Sequence, residues 1–211
     1  MSHSPLHLEF LLEEPSLEEV LSYILPEILR DKITFRTHAF RGKKDLLKNL
    51  PGRLKGYSTW LPENYKIIVM IDEDRENCQY LKQQLEVIAQ SAGLTTKSSN
   101  SPNQPYQVIN RIVIEELEAW FFGDVNAIRQ AYPKVSPNLA KQAKYRDPDA
   151  IQGGTWETLE KVLQRGGYHK GGLEKLRAAR EIAPHMNPSV NRSRSFQVFY
   201  KSLLEITEIH H

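Results

Sequence analysis

Short, nearly continuous apolar runs mark the first half of the chain, and helical periodicity replaces them in the second half. Residues 6–12 read as a strand. Ser16, with Glu19 three residues on, has the spacing of a capping box and opens a helix with Val20, Leu21, Ile24, Leu25 and Ile28 on one face. Pro26 predicts a kink or an early stop in that helix. Residues 33–40 are β-branched and aromatic and read as a second strand. Residues 43–56 predict a basic helix broken near Pro51 and Gly52. Residues 66–71 (K-I-I-V-M-I) form the clearest buried strand, apolar enough to be covered on both faces as parallel strands are. A helix over 75–92, a polar loop over 93–105, a strand over 107–114 and a helix from Glu115 to about Phe122 complete this half.

Alternation of strand and helix predicts an α/β fold with a mainly parallel sheet flanked by helices. The expected division is an α/β core over residues 1–123 and a helical, loop-rich extension over 124–211, packed together as one unit. A chain of 211 residues suits one filled core better than two. Hydrophobic residues at 40% and charged residues at 26% are ordinary globular usage. Cys78 stands alone, which excludes an internal disulfide and a cysteine zinc site. No apolar run can span a bilayer, and the N-terminal M-S-H-S-P-L-H-L-E-F lacks signal-peptide character, so a cytoplasmic location without membrane contact is expected.

Net charge is only +2, but its distribution is uneven. Arg41, Lys43, Lys44, Lys48, Arg53 and Lys55 cluster against one acid, Asp45. Such a run could track nucleic-acid phosphates or could be a solvated helix face. Lys170 in G-G-Y-H-K-G-G, and Arg192 and Arg194 in N-R-S-R-S, are further candidates for phosphate contact beside a plain surface role. Trp60 in S-T-W-L-P reads as a packing residue, with base stacking as the alternative.

Acids follow the apolar runs directly: L-H-L-E-F-L-L-E-E, K-I-I-V-M-I-D-E-D and R-I-V-I-E-E-L-E. The carboxyl ends of parallel strands share one edge, where ligands bind. Converging carboxylates repel unless a cation compensates, and Mg²⁺ prefers hard oxygen donors. Glu13, Asp72 and Asp74 are therefore candidate metal ligands, with Glu115, Glu116 and Glu118 as further ones. Acids after strands also cap helices, which leaves that role open for Asp72 and Asp74. Gly42-Lys43 is no phosphate-binding loop, because Thr37 stands where a Gly is required and Lys44 follows the Lys. Glu76 likewise breaks an Asp-x-Asp-x-Thr phosphatase pattern.

These segments, together with G-T-W-E at 154–157, I-A-P-H-M at 182–186 and N-R-S-R-S-F-Q-V-F at 191–199, resemble a bacterial family catalogued as domain of unknown function 4276. That family is similar to Toprim-type domains of topoisomerases, primases and overcoming-lysogenization-defect nucleases. The resemblance implies a Toprim-like fold and a Mg²⁺- or Mn²⁺-dependent nuclease acting on nucleic acid, in phage defence with an ATPase partner. It implies Glu13, Asp72 and Asp74 as catalytic metal ligands and matches the 115–118 acids to a third motif. Lys43, Lys44 and Arg111 are the cations expected to neutralise developing charge. Glu14 stands where relatives carry Gly, which keeps open a non-catalytic binding or regulatory subunit.

Overall fold

The computed structural model describes residues 5–30, 33–101 and 104–209. Pro102, in the polar loop expected over 93–105, lies outside them. The element order is β1 (His7–Leu12), α1 (Pro15–Leu29), β2 (Thr34–Ala39), α2 (Lys43–Tyr57), β3 (Tyr65–Asp72), α3 (Cys78–Ser91) and β4 (Val108–Val113). Helices α4 (Glu118–Gly123), α5 (Val125–Ala131), α6 (Thr155–Arg165), α7 (Lys175–Ile182) and α8 (Arg194–Ile209) follow, with short 3-10 turns between them. All strand pairs are parallel, in the order β2-β1-β3-β4. The expected α/β class, parallel sheet and helical C-terminal region are therefore present.

Side chains alternate across each strand and so divide the core between two faces. Leu8, Phe10, Leu12, Ile68 and Met70 face α1 and the C-terminal helices. Leu11, Ile67, Val69 and Ile71 face α2 and α3 through Leu46, Leu50, Leu54, Leu85 and Ala89. The first cluster runs without a break from β1 into Phe196, Phe199, Leu203 and Ile206 of α8. Trp120 is its keystone: fully buried, stacked on Phe199 at 5.4 Å and edge-on to Phe196 at 4.9 Å, with Nε1 donating to Ser195 Oγ. The N-R-S-R-S segment is built around the same point. The Asn191 amide donates to the Trp120 carbonyl, and Asp149 accepts the Arg194 and Ser195 backbone N–H groups at the start of α8.

Several helix boundaries differ from expectation. Ser16 does not cap α1. Glu14 holds the N-cap position in the extended conformation that a residue before proline requires, and Pro15 takes the first helical position, where its missing N–H costs nothing. Helix α1 runs through Pro26 to Leu29, and α2 runs through Pro51 and Gly52 to Tyr57. Both prolines lie on exposed faces, so the carbonyls they leave unbonded meet water. Glu115 and Glu116 precede α4 instead of forming its first turn, and Glu115 is left-handed at φ 60°.

Trp120→Ala should cost about 3–5 kcal/mol. Urea denaturation followed by circular dichroism reads this directly, and a loss under about 1 kcal/mol would contradict the placement of Trp120 at the join between sheet and α8.

Candidate functional site

Strand order places the topological switch point between β1 and β3, whose crossovers lead to opposite sides of the sheet. Glu13 leaves β1 there. Its N–H donates to the Met70 carbonyl, its own carbonyl accepts from Gly42, and its Oε2 accepts the Asp72 N–H at 2.9 Å. Asp72 ends β3 on the face of Ile68 and Met70, turned toward α1 and the C-terminal helices. Both are buried, at 7% and 3% exposure. Helix α3 is capped by Asn77, whose Oδ1 accepts from the Gln79 and Tyr80 N–H groups. Among the described residues Asp72 and Asp74 therefore cap no helix, and that simpler reading of the D-x-D pair falls away.

Electrostatics mark the same point. Burial, then the charges of Glu14, Glu13 and Glu118, push the Asp72 carboxyl well above the usual carboxylate range, against the pull of Lys175. Burial raises Glu13 to about 7, opposed by the hydrogen bond from the Asp72 N–H. Burial also raises Glu118 to about 7, with Lys175 opposing and Glu14 and Glu116 adding to the rise. Among the described residues Glu118 Oε2 accepts no hydrogen bond, and Lys175 Nζ stands 3.8 Å from it. Burial favours the neutral form of Lys175, yet Glu118, Glu14, Glu116 and Asp72 hold its pKa above the ordinary lysine value. Lys175 opposes Asp72 and Glu118, and Lys43 opposes Glu13, so that with Glu14 the carboxylates at this edge outnumber the lysines that balance them.

The remaining acids divide between roles. Asp74 is left-handed at φ 53°, half-exposed, and paired with Lys43 Nζ at 2.7 Å. Its N–H donates to the Glu115 carbonyl, while the Glu115 N–H donates to Glu73 Oε2. Two left-handed, non-glycine residues thus face each other across the β3 and β4 ends, a local strain of the kind found at functional sites. Burial, then the charges of Glu73 and Glu116, raise the Glu115 carboxyl. Glu116 Oε2 accepts from Thr155 Oγ1 and the Trp156 N–H, so it caps α6 from outside. Lys43 also donates to the Glu73 carbonyl and to Glu76.

The candidate cations scatter. Lys44 and Lys48 lie exposed on α2, and Arg41 just before it. Arg111 points to α8, donating to Ser202 Oγ and the Asn110 carbonyl, and Arg192 donates to the Arg146 and Phe122 carbonyls. Lys170 is exposed in a turn pinned by His169, whose Nε2 meets Tyr132 Oη at 2.8 Å. Arg194 opens α8 with its N–H on Asp149, remote in contacts from the acids. Residue patterns missed Lys175, which enters the site through the packing of α1 against α7, and flagged Glu14 only as a replaced glycine, without its charge on Asp72.

Residues 12–204 match a family described as a domain of unknown function. The chain belongs to that family, DUF4276. No curated protein and no solved structure matched the DUF4276 chain. No described helix is long and apolar enough to cross a membrane.

Among the described residues, no three His, Cys, Asp or Glu side chains form a ready-made metal cage. Mg²⁺ is ordinarily held by one or two carboxylates together with water and substrate phosphate. Asp72 and Glu13 are joined at this edge by the Asp72 N–H to Glu13 Oε2 bond, and Glu118 acts on Asp72 through its charge. Cavities of about 180 and 650 Å³ lie elsewhere, around Tyr145 and Arg165, and touch none of these acids.

Glu13 and Glu118 keep their protons in the folded state up to about pH 7, whereas the unfolded chain releases them near 4.5. Stability from these groups is therefore complete below pH 4.5 and is lost as pH rises through about 7, on the order of 3 kcal/mol for each. Thermal melts across this range should show the decline in the wild type and a reduced decline in Glu13→Gln and Glu118→Gln. Parallel profiles for all three proteins would contradict the assignment.

Proposed function

We propose that the DUF4276 chain is a Toprim-like, metal-dependent nuclease that cleaves phosphodiester bonds at the carboxyl edge of β1 and β3. The observation that carries this reading is Asp72: a carboxylate buried at the switch point, capping no helix, and surrounded by the charges of Glu13, Glu14 and Glu118. A protein has little reason to hold acids in this way unless a cation and an anionic substrate are to meet there.

Asp72 and Glu13 would hold Mg²⁺ or Mn²⁺, with Glu118 behind them. A bound divalent ion would neutralise phosphate charge and acidify water. Glu13, raised to about 7, is tuned to exchange a proton near neutrality. Its Oε2 is engaged by the Asp72 N–H, so where Glu13 serves as general base in place of metal ligand, Oε1 is the oxygen to take the proton of the attacking water. The water oxygen forms the new bond to phosphorus, the bond to the leaving sugar oxygen breaks, and that oxygen takes a proton from solvent. Lys175 limits repulsion between Glu118 and Asp72. Lys43 orients Asp74 and is itself neutralised by Asp74 and Glu76.

The second reading, a non-catalytic or partner-dependent subunit, is favoured by Glu14 in place of the Gly of relatives, because Glu14 adds charge to Asp72. In that reading the chain keeps the fold without turnover and works with an ATPase partner, whereas a role in phage defence belongs to the nuclease reading.

Labelled DNA and RNA, incubated with Mg²⁺, Mn²⁺ or EDTA, separate these readings. Metal-dependent cleavage by the wild type should fall at least about 100-fold in Asp72→Asn, the scale of losing one preorganised charge-stabilising group. Cleavage that persists in Asp72→Asn would refute the site. Cleavage absent until an ATPase partner is added would select the second reading.

A further inference from the structure

Helix α2 turns Leu46, Leu50, Leu54 and Tyr57 into the core. At 3.6 residues per turn, Lys44, Lys48 and Lys55 fall within about 40° of one another on the opposite side. All three are exposed, and among the described residues none of the three side chains has a hydrogen-bond or ion-pair partner. Asp45 is the one acid of this helix, and its carboxylate is occupied by the Arg41 N–H and the Asn49 amide. The stripe is thus an uncompensated line of positive charge.

A charged helix face alone is commonly just solvated. The segment after α2 adds something that solvation does not need. Trp60 is 56% exposed, yet its ring is held 5.3 Å from Tyr57 and 6.2 Å from Tyr65. Tyr65 in turn packs at 4.5 Å on His7. Beneath them lies a buried polar network. Tyr57 Oη donates to Glu9 Oε2 at 3.0 Å, and His38 Nε2 lies 2.6 Å from the same oxygen. Arg53 can only donate, so its 3.0 Å contact makes His38 Nδ1 the acceptor and leaves Nε2–H to donate to Glu9. The Arg53 guanidinium sits 5.7 Å from the Tyr57 ring centre. Trp60 is a large aromatic face, supported from below and offered to solvent.

We propose that α2 and Trp60 bind a single-stranded nucleic acid, with its phosphates along Lys44, Lys48 and Lys55 and an unpaired base stacked on Trp60. Only an unstacked base can offer its face to an aromatic side chain, which selects a single strand over a duplex. The 15 residues of α2 span about 22 Å. Lys43, at its other end, is bonded to Asp74 and Glu73 of the acid edge. The helix therefore links the stacking platform to the site of cleavage. This direction of travel rests on the nuclease reading; the binding itself does not.

Fluorescence anisotropy of labelled single strands and duplexes, measured in EDTA so that nothing is cut, tests the proposal. Trp60→Ala should weaken single-strand binding roughly 5- to 150-fold, and Trp60→Phe should restore most of it. Changing Lys44, Lys48 and Lys55 together to Gln should lower the slope of log affinity against log salt by about 2. Trp60 is exposed, so its variants should melt like the wild type. No single-strand binding, equal affinity for duplex, or unchanged affinity in Trp60→Ala would each overturn the proposal. Binding of this kind without metal-dependent cleavage would sink the nuclease reading and leave this one standing. Metal-dependent cleavage, together with single-strand affinity unchanged in Trp60→Ala, would do the reverse.

Discussion

Carboxylates repel one another at short range and lose the solvation of water when buried, and the carboxyl edge of this sheet imposes both penalties on Glu13, Asp72 and Glu118. One lysine, Lys175, offsets part of this from α7. Each remaining concession is local. Glu13 accepts a backbone N–H from its neighbour strand, and Glu13 and Glu118 shift toward the neutral form. Lys43 draws Asp74 aside, and Glu116 turns to α6. The strain is thereby concentrated on one residue, Asp72, whose carboxyl is pushed furthest toward the neutral form and has no hydrogen-bond donor among the described residues.

The fold makes this arrangement possible by placing β1 and β3 side by side at the centre of the sheet, with β2 and β4 outside them. Helix α1 and the C-terminal helices cover one face, and α2 and α3 cover the other. The C-terminal region is therefore part of the site's construction. It supplies Lys175 beside Glu118, the α6 terminus that occupies Glu116, and α8, whose aromatic residues seat Trp120. Helix α2 has a separate use for its outer face, where lysines without partners lead from the acid edge toward Trp60.

The strands were legible because parallel strands covered on both faces must be almost uniformly apolar, as residues 66–71 are, and because acids ended three of these runs. Helix starts were less legible. Ser16 and Glu19 have capping spacing, but Pro15 had already set the first helical turn. Pro51 did not break α2, because tertiary packing of Leu46, Leu50 and Leu54 outweighs one lost hydrogen bond on the solvent side. The acids of the site could be named from local pattern, but their division of labour could not. Lys175 meets Glu118, and Glu116 meets Thr155, only through helix packing across tens of residues. Glu14 read as a departure from a glycine pattern, and its charge turned out to act directly on Asp72.

We propose that this excess of carboxylates is a cation site. Calorimetric titration of the purified chain with Mn²⁺ tests it without reference to any substrate. Binding must displace protons from Asp72, Glu13 and Glu118, so affinity should rise from about pH 6 to about pH 8 with proton release, and should vanish in Asp72→Asn. Absence of binding across that range, or binding indifferent to Asp72→Asn, would contradict the account.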